Sequence, residues 1–352
     1  MENCGWEIDW LSPEKDFQSE VHAFQAEWED DKDWVWVQTS GSTGAPKPLQ
    51  VEKQRMLASA QTTLSFLGLN RGDSALLCLP VKYIAGKMML VRAWWYRLSL
   101  WAVAPSSHPL AGLQQAPVFA AMTPMQVIRS LQVEEERNVL REIRQLIIGG
   151  GAVEPSLAAV LRDFPYAVWS TYGMTETLSH IALRRLSGPE ASGWYEPFEG
   201  VQVSLSEDQT LRIQAPAVCS QVLQTNDIAE LRPDGCFRIL GRKDNVINSG
   251  GVKIQIEQLE EVIRPFLTVP FQISSVSHPV LGEETVLLLD RQAASAGSPE
   301  DWLLQAQKAC ERLLPPYWKP LRVMVVEQLP WTETGKPSRA KAKELAALLM
   351  RS

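Results

Sequence analysis

The chain has few of the residues that build metal clusters or disulfide frameworks. Its 352 residues include five cysteines and four histidines, and no two cysteines form a C-x-x-C pair. This spacing argues against a zinc cluster, and isolated thiols are typical of a reducing compartment. We therefore expect neither a structural zinc ion nor a disulfide scaffold.

Excess basic charge and long apolar runs are also lacking. The formal net charge is −7, so a general affinity for nucleic acid or for an anionic membrane is not expected. The most apolar stretch, 87–104, is interrupted by Arg92 and Arg97, which argues against membrane insertion. The first residues carry neither a basic region nor an apolar signal core, and we expect a soluble, cytoplasmic protein.

Strand and helix patterns alternate through the first half of the chain, which predicts a layered α/β domain. The predicted strands cover 74–79, 99–104, 117–122, 145–148 and 167–170, and the predicted helices cover 54–67, 83–96, 124–131 and 154–163. Hairpin patterns follow from about residue 200, and a smaller α+β pattern begins after residue 241. The predicted domains are therefore 1–241 and 242–352, with a hinge near 242–245.

The most informative stretch is 39–47, which combines hydroxyl residues, two glycines and a lysine directly after a strand-like run at 33–38. Glycines let several backbone N–H groups converge on one anion, as phosphate binding requires. The spacing differs from the common P-loop, and a flexible Ser/Gly-rich turn is the alternative. The predicted phosphate-binding residues are Thr39, Ser40, Gly41, Ser42, Thr43, Gly44 and Lys47.

The segment 171–176 follows an apolar strand and would lie at the end of a sheet, where open α/β sheets bind ligands. There Tyr172 can stack on a base, Thr175 can contact phosphate and Glu176 can bind Mg²⁺. The alternative is that Thr175 and Glu176 only begin a helix.

Three further segments carry candidate polar groups. Asp227 can accept hydrogen bonds from ribose hydroxyls, with a turn aspartate as the alternative. The polar run 241–251 indicates a hinge, with an ordinary β-turn as the alternative. Lys336 lies beside a glycine in the loop 329–339, and a solvated surface lysine is the alternative.

In sequence and in order, these five segments resemble the core motifs of the adenylate-forming superfamily of acyl- and aryl-CoA synthetases, over residues 39–339. The resemblance implies a large α/β N-terminal domain with a truncated N-terminal subdomain and a β-rich segment, followed by a small mobile α+β C-terminal domain. It also implies that ATP, Mg²⁺ and coenzyme A take part in the reaction, and that the partner is a small aromatic carboxylate.

The resemblance further implies a role for each matching residue. Lys336 would be the catalytic lysine, Thr175 and Glu176 would act at the phosphates and at Mg²⁺, and Asp244 would be the hinge. The remaining implied positions are Gly150, Gly151, Ala152, Tyr172 and Gly173 at the adenine pocket, Asp227 and Arg242 at the ribose, and Ser249, Gly250 and Gly251 in the loop that serves the thiol step. In this family, the small domain rotates between adenylation and attack by the thiol.

In two departures from the usual family pattern, the sequence resembles the compact o-succinylbenzoate–CoA ligases of menaquinone biosynthesis. Only 38 residues precede the phosphate loop, and Lys82 and Tyr83 replace the Phe-His pair of the family motif L-P-x-F-H-x-x-G. That substrate carries two carboxylates, so a basic group is expected in its pocket. The candidates are Arg129, which is otherwise a surface helix arginine, and Lys87, with Tyr83 as the altered aromatic residue.

Two other functions stay open at this point. One is a stand-alone adenylation enzyme that loads an aryl or amino acid onto a carrier protein. The other is a catalytically silent nucleotide-binding relative, against which the retention of Glu176 and Lys336 speaks. A homo-oligomer is neither indicated nor excluded by the sequence.

Overall fold

The computed structural model describes residues 8–38, 48–292, 294, 297–332 and 337–350. The predicted phosphate loop at 39–47 and the predicted catalytic Lys336 lie outside these ranges. The chain divides into two compact units. The large unit comprises residues up to 204 with 213–223 and 231–238, and the small unit comprises 205–212, 224–230 and the chain from 239 onward. The predicted domain boundary at residue 241 stays a prediction.

Helices and strands alternate through most of the described residues. The helices are α1 Lys15–Glu29, α2 Lys53–Leu67, α3 Ile84–Tyr96, α4 Pro124–Gln132, α5 Glu134–Glu142, α6 Pro155–Leu161, α7 Ile256–Ile263, α8 Pro299–Leu313 and α9 Arg339–Leu349. The strands are β1 Ile8–Trp10, β2 Trp34–Gln38, β3 Pro48–Glu52, β4 Ser74–Leu77, β5 Ser99–Ala102, β6 Phe119–Met122, β7 Gln145–Ile148, β8 Ala167–Gly173, β9 His180–Arg185, β10 Glu196–Pro197, β11 Gln202–Leu205, β12 Thr210–Gln214, β13 Leu223–Leu231, β14 Phe237–Arg242, β15 Val246–Ser249, β16 Val252–Gln255, β17 Phe271–His278, β18 Gly282–Asp290 and β19 Arg322–Val326.

The large unit is built on an eight-stranded sheet in the order β1-β5-β4-β6-β7-β8-β9-β10. The strands from β1 to β8 in that order run parallel, whereas β9 and β10 are added antiparallel. Parallel strands need crossover connections, and helices α3, α4, α5 and α6 supply several of them.

Helices cover both faces of this sheet, because successive side chains of each strand point to opposite sides. Ala75 and Leu77 pack in one apolar cluster with residues of α1, α2 and α3. Leu76 and Cys78 pack in a second cluster with residues of α4, α5 and α6. Strands buried on both faces have nearly continuous apolar sequences, which is why short apolar runs predict them.

The small unit contains a second sheet in the order β16-β15-β18-β17, and β19 pairs in parallel with β18. Helices α7 and α8 pack on one face with Ile273 and Leu287, and α9 packs on the other face with Val286 and Leu288. The hairpin region forms a four-stranded sheet in the order β11-β12-β13-β14.

The predicted α/β fold class is confirmed, and most predicted elements agree with the structure to within a few residues. The predicted strand at 145–148 is strand β7, and the predicted helix at 83–96 is helix α3 at Ile84–Tyr96. The prediction missed helices α1 and α5 and strands β1, β3, β9, β10, β15 and β16. None of the described helices is long and apolar enough to cross a bilayer.

Candidate functional site

In the large unit, several predicted site residues meet at the carboxyl edge of the main sheet. Strands β6, β7 and β8 are parallel neighbours, so the residues that follow them lie at the same edge. Thr123 follows β6 and caps helix α4, with its hydroxyl accepting a hydrogen bond from the backbone N–H of Gln126. Gly149 to Gly151 follow β7, and Met174 follows β8. Open α/β sheets bind their ligands at this kind of edge.

Glycine is required at this edge because neighbouring atoms lie too close to the backbone for a side chain, or because the backbone is left-handed. A Cβ atom at Gly149 would lie 2.5 Å from Oγ1 of Thr171, and Gly150 has a φ of +81°, in the left-handed region. A Cβ atom at Gly173 would lie 2.0 Å from the carbonyl oxygen of Ser179. Side chains are therefore excluded where the ends of β7 and β8 meet their neighbours.

Tyr172 presents its ring in an aromatic group at the end of β8. The ring centroid of Tyr172 lies 5.1 Å from that of Phe237, edge to face, and 5.7 Å from that of Tyr195. The next residues form a single 3-10 turn, Thr175–Thr177, rather than the start of an α-helix. Leu178 closes this turn with a φ of +65°, a strained conformation for a bulky residue.

Thr175 and Glu176 differ in exposure, and the difference suits their predicted roles. Thr175 is buried, whereas Glu176 is exposed. No group of three or more acidic, histidine or cysteine side chains that could hold a metal occurs among the described residues. Mg²⁺ in nucleotide sites typically takes one or two protein carboxylates and completes its shell with phosphates and water. An exposed Glu176 therefore fits a magnesium ion that arrives with a nucleotide.

In the small unit, the structure brings the predicted ribose pair together. Nη1 of Arg242 donates to Oδ1 of Asp227 over 3.0 Å, and Nη2 donates to Oδ2 of Asp244 over 2.9 Å. Asp244 lies in the 3-10 turn Lys243–Asn245, and the backbone oxygen of Arg242 accepts from Nε2 of Gln255. The same guanidinium thus contacts the predicted ribose acid and the predicted hinge residue.

The predicted thiol-step loop is a tight hairpin turn. Ser249 ends β15, and Gly250 and Gly251 connect it to the antiparallel strand β16. Gly250 has a φ of +57° and Gly251 a φ of +83°, both in the left-handed region that a two-residue hairpin of this kind requires. Glycine at both positions is explained by the turn alone.

A buried arginine that the sequence analysis did not assign to the site lies in helix α3. Arg92 is 2% exposed, and its Nη2 donates to Oγ of Ser179 over 2.8 Å and to Oγ1 of Thr63 over 3.4 Å. Nε of Arg92 is buried without a hydrogen-bond partner among the described residues. Burial lowers the pKa of Arg92 to about 9. A buried cation without a carboxylate is costly in a free protein, and such groups occur at functional sites.

His180 completes this polar cluster. The Thr63 hydroxyl donates to the backbone oxygen of Ser59, so it accepts from Nε2 of His180, and Nδ1 is then the acceptor for the Ser179 hydroxyl. Burial, together with the charge of Arg92, lowers the pKa of His180 well below its usual value. The imidazole is therefore neutral at pH 7, and Arg92 supplies the charge.

The cluster borders a small cavity in the large unit. His180 lines this cavity with Ser59, Thr62 and Phe198, and its volume is about 30 Å³. A cavity of this size holds a water molecule, whereas an aromatic acid needs roughly tenfold more room. Apolar residues, among them Ile181 and Val201, supply more of the lining than polar residues do, and the cavity as it stands is too small for such an acid.

The three predicted substrate residues have different surroundings. Arg129 is exposed on α4, where its Nη1 donates to Oε1 of Gln132. Tyr83 is half-buried at the start of α3, with Nζ of Lys82 5.0 Å from its ring centroid. Nζ of Lys87 is buried and donates to the backbone oxygen of Trp36 and to Oε2 of Glu27. These three residues remain candidates, and the structure does not bring them into one cluster.

Comparison with known proteins gives the family. Residues 5–219 match the family model described as AMP-binding enzyme. The chain belongs to the AMP-binding enzymes. The predicted relationship to the adenylate-forming superfamily is confirmed.

Individual AMP-binding enzymes resemble the chain over most of its length. The 2-succinylbenzoate–CoA ligase of Listeria monocytogenes is 24% identical over 332 residues, which cover 87% of this chain and 68% of that enzyme. An acyl-CoA synthetase (AMP-forming)/AMP-acid ligase II-like protein from Dyadobacter fermentans is 33% identical, covers 97% of this chain and 96% of its own, and has a TM-score of 0.62. The o-succinylbenzoate coenzyme A synthetase of Bacillus subtilis, in complex with ATP and magnesium ion, has the same fold with a TM-score of 0.70 at 22% identity, covering 87% of this chain and 69% of that one.

Sequence reasoning about this AMP-binding enzyme found the sheet-edge residues and the Asp227–Arg242 pair, but it missed Arg92. The available signal was a charged residue inside the most apolar helix of the chain. The same residue also argues against a membrane span. Buried charges with strongly shifted pKa values are concentrated at functional sites.

Proposed function

We propose that this protein is an AMP-forming acid–CoA ligase that converts o-succinylbenzoate, ATP and coenzyme A into o-succinylbenzoyl-CoA, AMP and pyrophosphate. The observation that carries the adenylation chemistry is the carboxyl edge of the main sheet. There the glycine segment follows β7, the ring of Tyr172 lies near the end of its parallel neighbour β8, and the turn with Thr175 and Glu176 comes after β8. The named relatives support a CoA thioester as the product.

Each residue at this edge has a task in nucleotide binding. Gly150, Gly151 and Ala152 line the adenine side, and Tyr172 packs against the base. Thr175 contacts phosphate and Glu176 holds Mg²⁺, which when bound neutralises charge on the phosphates. In the small unit Asp227 accepts from the ribose hydroxyls, and Arg242 orients that carboxylate.

The adenylation step needs charge stabilisation rather than a protein acid or base. As the substrate carboxylate attacks the α-phosphate, negative charge grows on the non-bridging oxygens and on the leaving pyrophosphate. The residues predicted to stabilise it are the 39–47 phosphate loop and Lys336. A thiol then displaces AMP from the acyl-adenylate, and Ser249, Gly250 and Gly251 are proposed to serve this step, with Asp244 as the hinge.

Arg92 supports a substrate with a second carboxylate. Its guanidinium is charged at pH 7, buried, and bound only by neutral hydroxyl groups and a methionine sulfur among the described residues. A carboxylate is the natural partner for such a group, because an arginine can bind it through two parallel hydrogen bonds. We propose Arg92 for this role ahead of Arg129, which lies on the surface, and Lys87, which already binds Glu27.

Pyrophosphate release across a panel of acids tests this proposal. Purified protein with ATP and Mg²⁺ should release pyrophosphate with o-succinylbenzoate and much less with benzoate, which lacks the second carboxylate. Lys336→Ala should reduce release by several orders of magnitude, as removal of a key charge-stabilising group can. Release with an amino acid and transfer to a phosphopantetheinylated carrier would instead favour a carrier-loading enzyme, and no release with any acid would favour a silent relative.

A further inference from the structure

The loop that contains Lys336 has a closed base in the small unit. The backbone N–H of Ser338 donates to the carbonyl oxygen of Pro330 over 3.0 Å, and Trp331 and Pro337 form an antiparallel bridge. Nε2 of Gln272, in strand β17, donates to the same Pro330 oxygen over 3.1 Å. The described residues on either side of 333–336 are therefore held together at one point of the small unit.

An ion pair fixes the returning end of this loop. Arg339 is the first residue of α9. Both terminal nitrogens of its guanidinium donate to the Glu260 carboxylate, with Nη1–Oε1 at 2.6 Å and Nη2–Oε2 at 2.8 Å. Glu260 lies on α7 and is only 5% exposed. Its Oε1 also accepts from the backbone N–H of Ile273 in β17 over 2.8 Å. One carboxylate thus joins the start of α9 to a helix and to a strand.

This ion pair is better suited to orient the loop base than to increase the free energy of unfolding. Buried ion pairs often add little to the free energy of unfolding, because desolvation offsets the attraction. A bidentate arginine–carboxylate contact, however, defines direction in a way that a lysine cannot reproduce. Glu260 and Arg339 are therefore suited to hold the loop base in one orientation.

We propose that Glu260 and Arg339 are positioning residues for Lys336, which precedes Arg339 by three residues. This inference rests on the proposed function, in which Lys336 stabilises charge during adenylation. The pair acts on Lys336 through the chain and touches neither substrate nor nucleotide. Its loss should therefore impair adenylation selectively and spare the attack of the thiol on a finished acyl-adenylate.

Separate assays of the two half-reactions test this selectivity. Adenylation is followed by pyrophosphate exchange with o-succinylbenzoate, and thioester formation is followed from synthetic o-succinylbenzoyl-adenylate and coenzyme A. In Arg339→Lys and in the isosteric Glu260→Gln we expect adenylation to fall by about tenfold to a hundredfold, the range that a small misplacement of a catalytic group can cost. Thioester formation should stay within about twofold of the wild-type rate, a much smaller change than the expected loss of adenylation.

A matched control separates positioning from general damage to the small unit. Arg322 binds a second buried glutamate, Glu284, through a 3.0 Å contact between strands β19 and β18. Arg322→Lys weakens another arginine contact to a buried glutamate, away from the loop base, so it should leave the ratio of the two half-reactions unchanged. A fall in both half-reactions together in Glu260→Gln, or the same altered ratio in Arg322→Lys, would overturn the proposal.

A double-variant cycle distinguishes positioning of Lys336 from a purely structural role, because it measures whether the effect of Arg339→Lys on adenylation depends on Lys336. In the Lys336→Ala background, Arg339→Lys should reduce adenylation by less than about twofold, because the group that it positions is already absent. Additive losses would show that Arg339 acts by another route and would refute the proposal. Failure of the wild-type protein to activate o-succinylbenzoate would instead refute the proposed function, so the two failures are distinguishable.

Discussion

Replacing Arg92 by methionine should stabilise the free protein and impair its reaction. Burial lowers the pKa of Arg92 far below its usual range, to about 9, and at about 1.4 kcal/mol per pKa unit the charged form carries a cost on the order of 5 kcal/mol. The hydrogen bonds to Ser179 and Thr63 offset part of that cost. Apolar replacements of buried ionic groups have stabilised other proteins by about 1–4 kcal/mol. We expect a gain in that range for Arg92→Met.

The pH dependence gives an independent check on the sign. Because the folded-state pKa of Arg92 lies below its unfolded value, the unfolded chain binds more protons than the folded chain above about pH 9. The penalty is complete below pH 9 and is relieved as the pH rises. The difference in unfolding free energy between Arg92→Met and wild type should therefore be largest near neutral pH and should narrow above pH 9.

Thermal melting and steady-state kinetics measure the two effects. We expect a higher melting temperature for unliganded Arg92→Met, together with a fall of at least about thirtyfold in kcat/KM for o-succinylbenzoate, because truncating one partner of a buried charge pair costs about 2–5 kcal/mol. Arg129→Met, on the exposed face of α4, is the control and should change neither quantity appreciably. A destabilised Arg92→Met with unchanged kcat/KM would refute the reasoning.

Three further predictions concern the large unit. Lys87→Gln should lower the unfolding free energy measured in urea by about 1–3 kcal/mol, because it removes the partner of Glu27, and the cost in a Glu27→Gln background should be smaller. Burial raises the pKa of the Cys78 thiol to about 12, so the native thiol should resist iodoacetamide at pH 8, and rapid labelling would contradict this. Because the folded-state pKa is raised, the contribution of Cys78 to the free energy of unfolding should be lost as the pH rises from 9 towards 12. Gly173→Ala should lower the melting temperature, because the added Cβ would lie 2.0 Å from the carbonyl oxygen of Ser179. Gly193→Ala is the control, because a Cβ there would have no other atom within 4 Å, and it should not lower the melting temperature. Equal melting temperatures for the two variants would contradict the close contact at Gly173.

The sheet and its edge were predictable because their signals are local. Short apolar runs predicted β7 and the first part of β8, and the glycine segment and Tyr172 lie at the carboxyl ends of these two strands. The resemblance assigned Asp227 and Arg242 together to the ribose, and in the structure Nη1 of Arg242 donates to Oδ1 of Asp227 over 3.0 Å. Helix α1 also carried a usable signal, since the buried Phe17, Val21 and Phe24 repeat at helical spacing, but the prediction overlooked it.

The polar cluster was not predictable because its meaning depends on distant residues. Arg92 donates to Thr63, 29 positions away, and to Ser179, 87 positions away, and neither contact leaves a pattern in the local sequence. The Glu260–Arg339 pair likewise joins residues 79 positions apart. Periodicity predicts which face of a helix is buried, but it does not identify the polar group that a buried charge will meet.

The most direct test of the central claim is the identity of the products formed from o-succinylbenzoate. Purified protein is incubated with ATP, Mg²⁺, coenzyme A and this acid, and the products are resolved by mass spectrometry. We expect o-succinylbenzoyl-CoA with equal amounts of AMP and pyrophosphate, and acyl-adenylate without thioester when coenzyme A is omitted. Formation of ADP and phosphate, or no product from protein whose wild-type fold is verified, would contradict it.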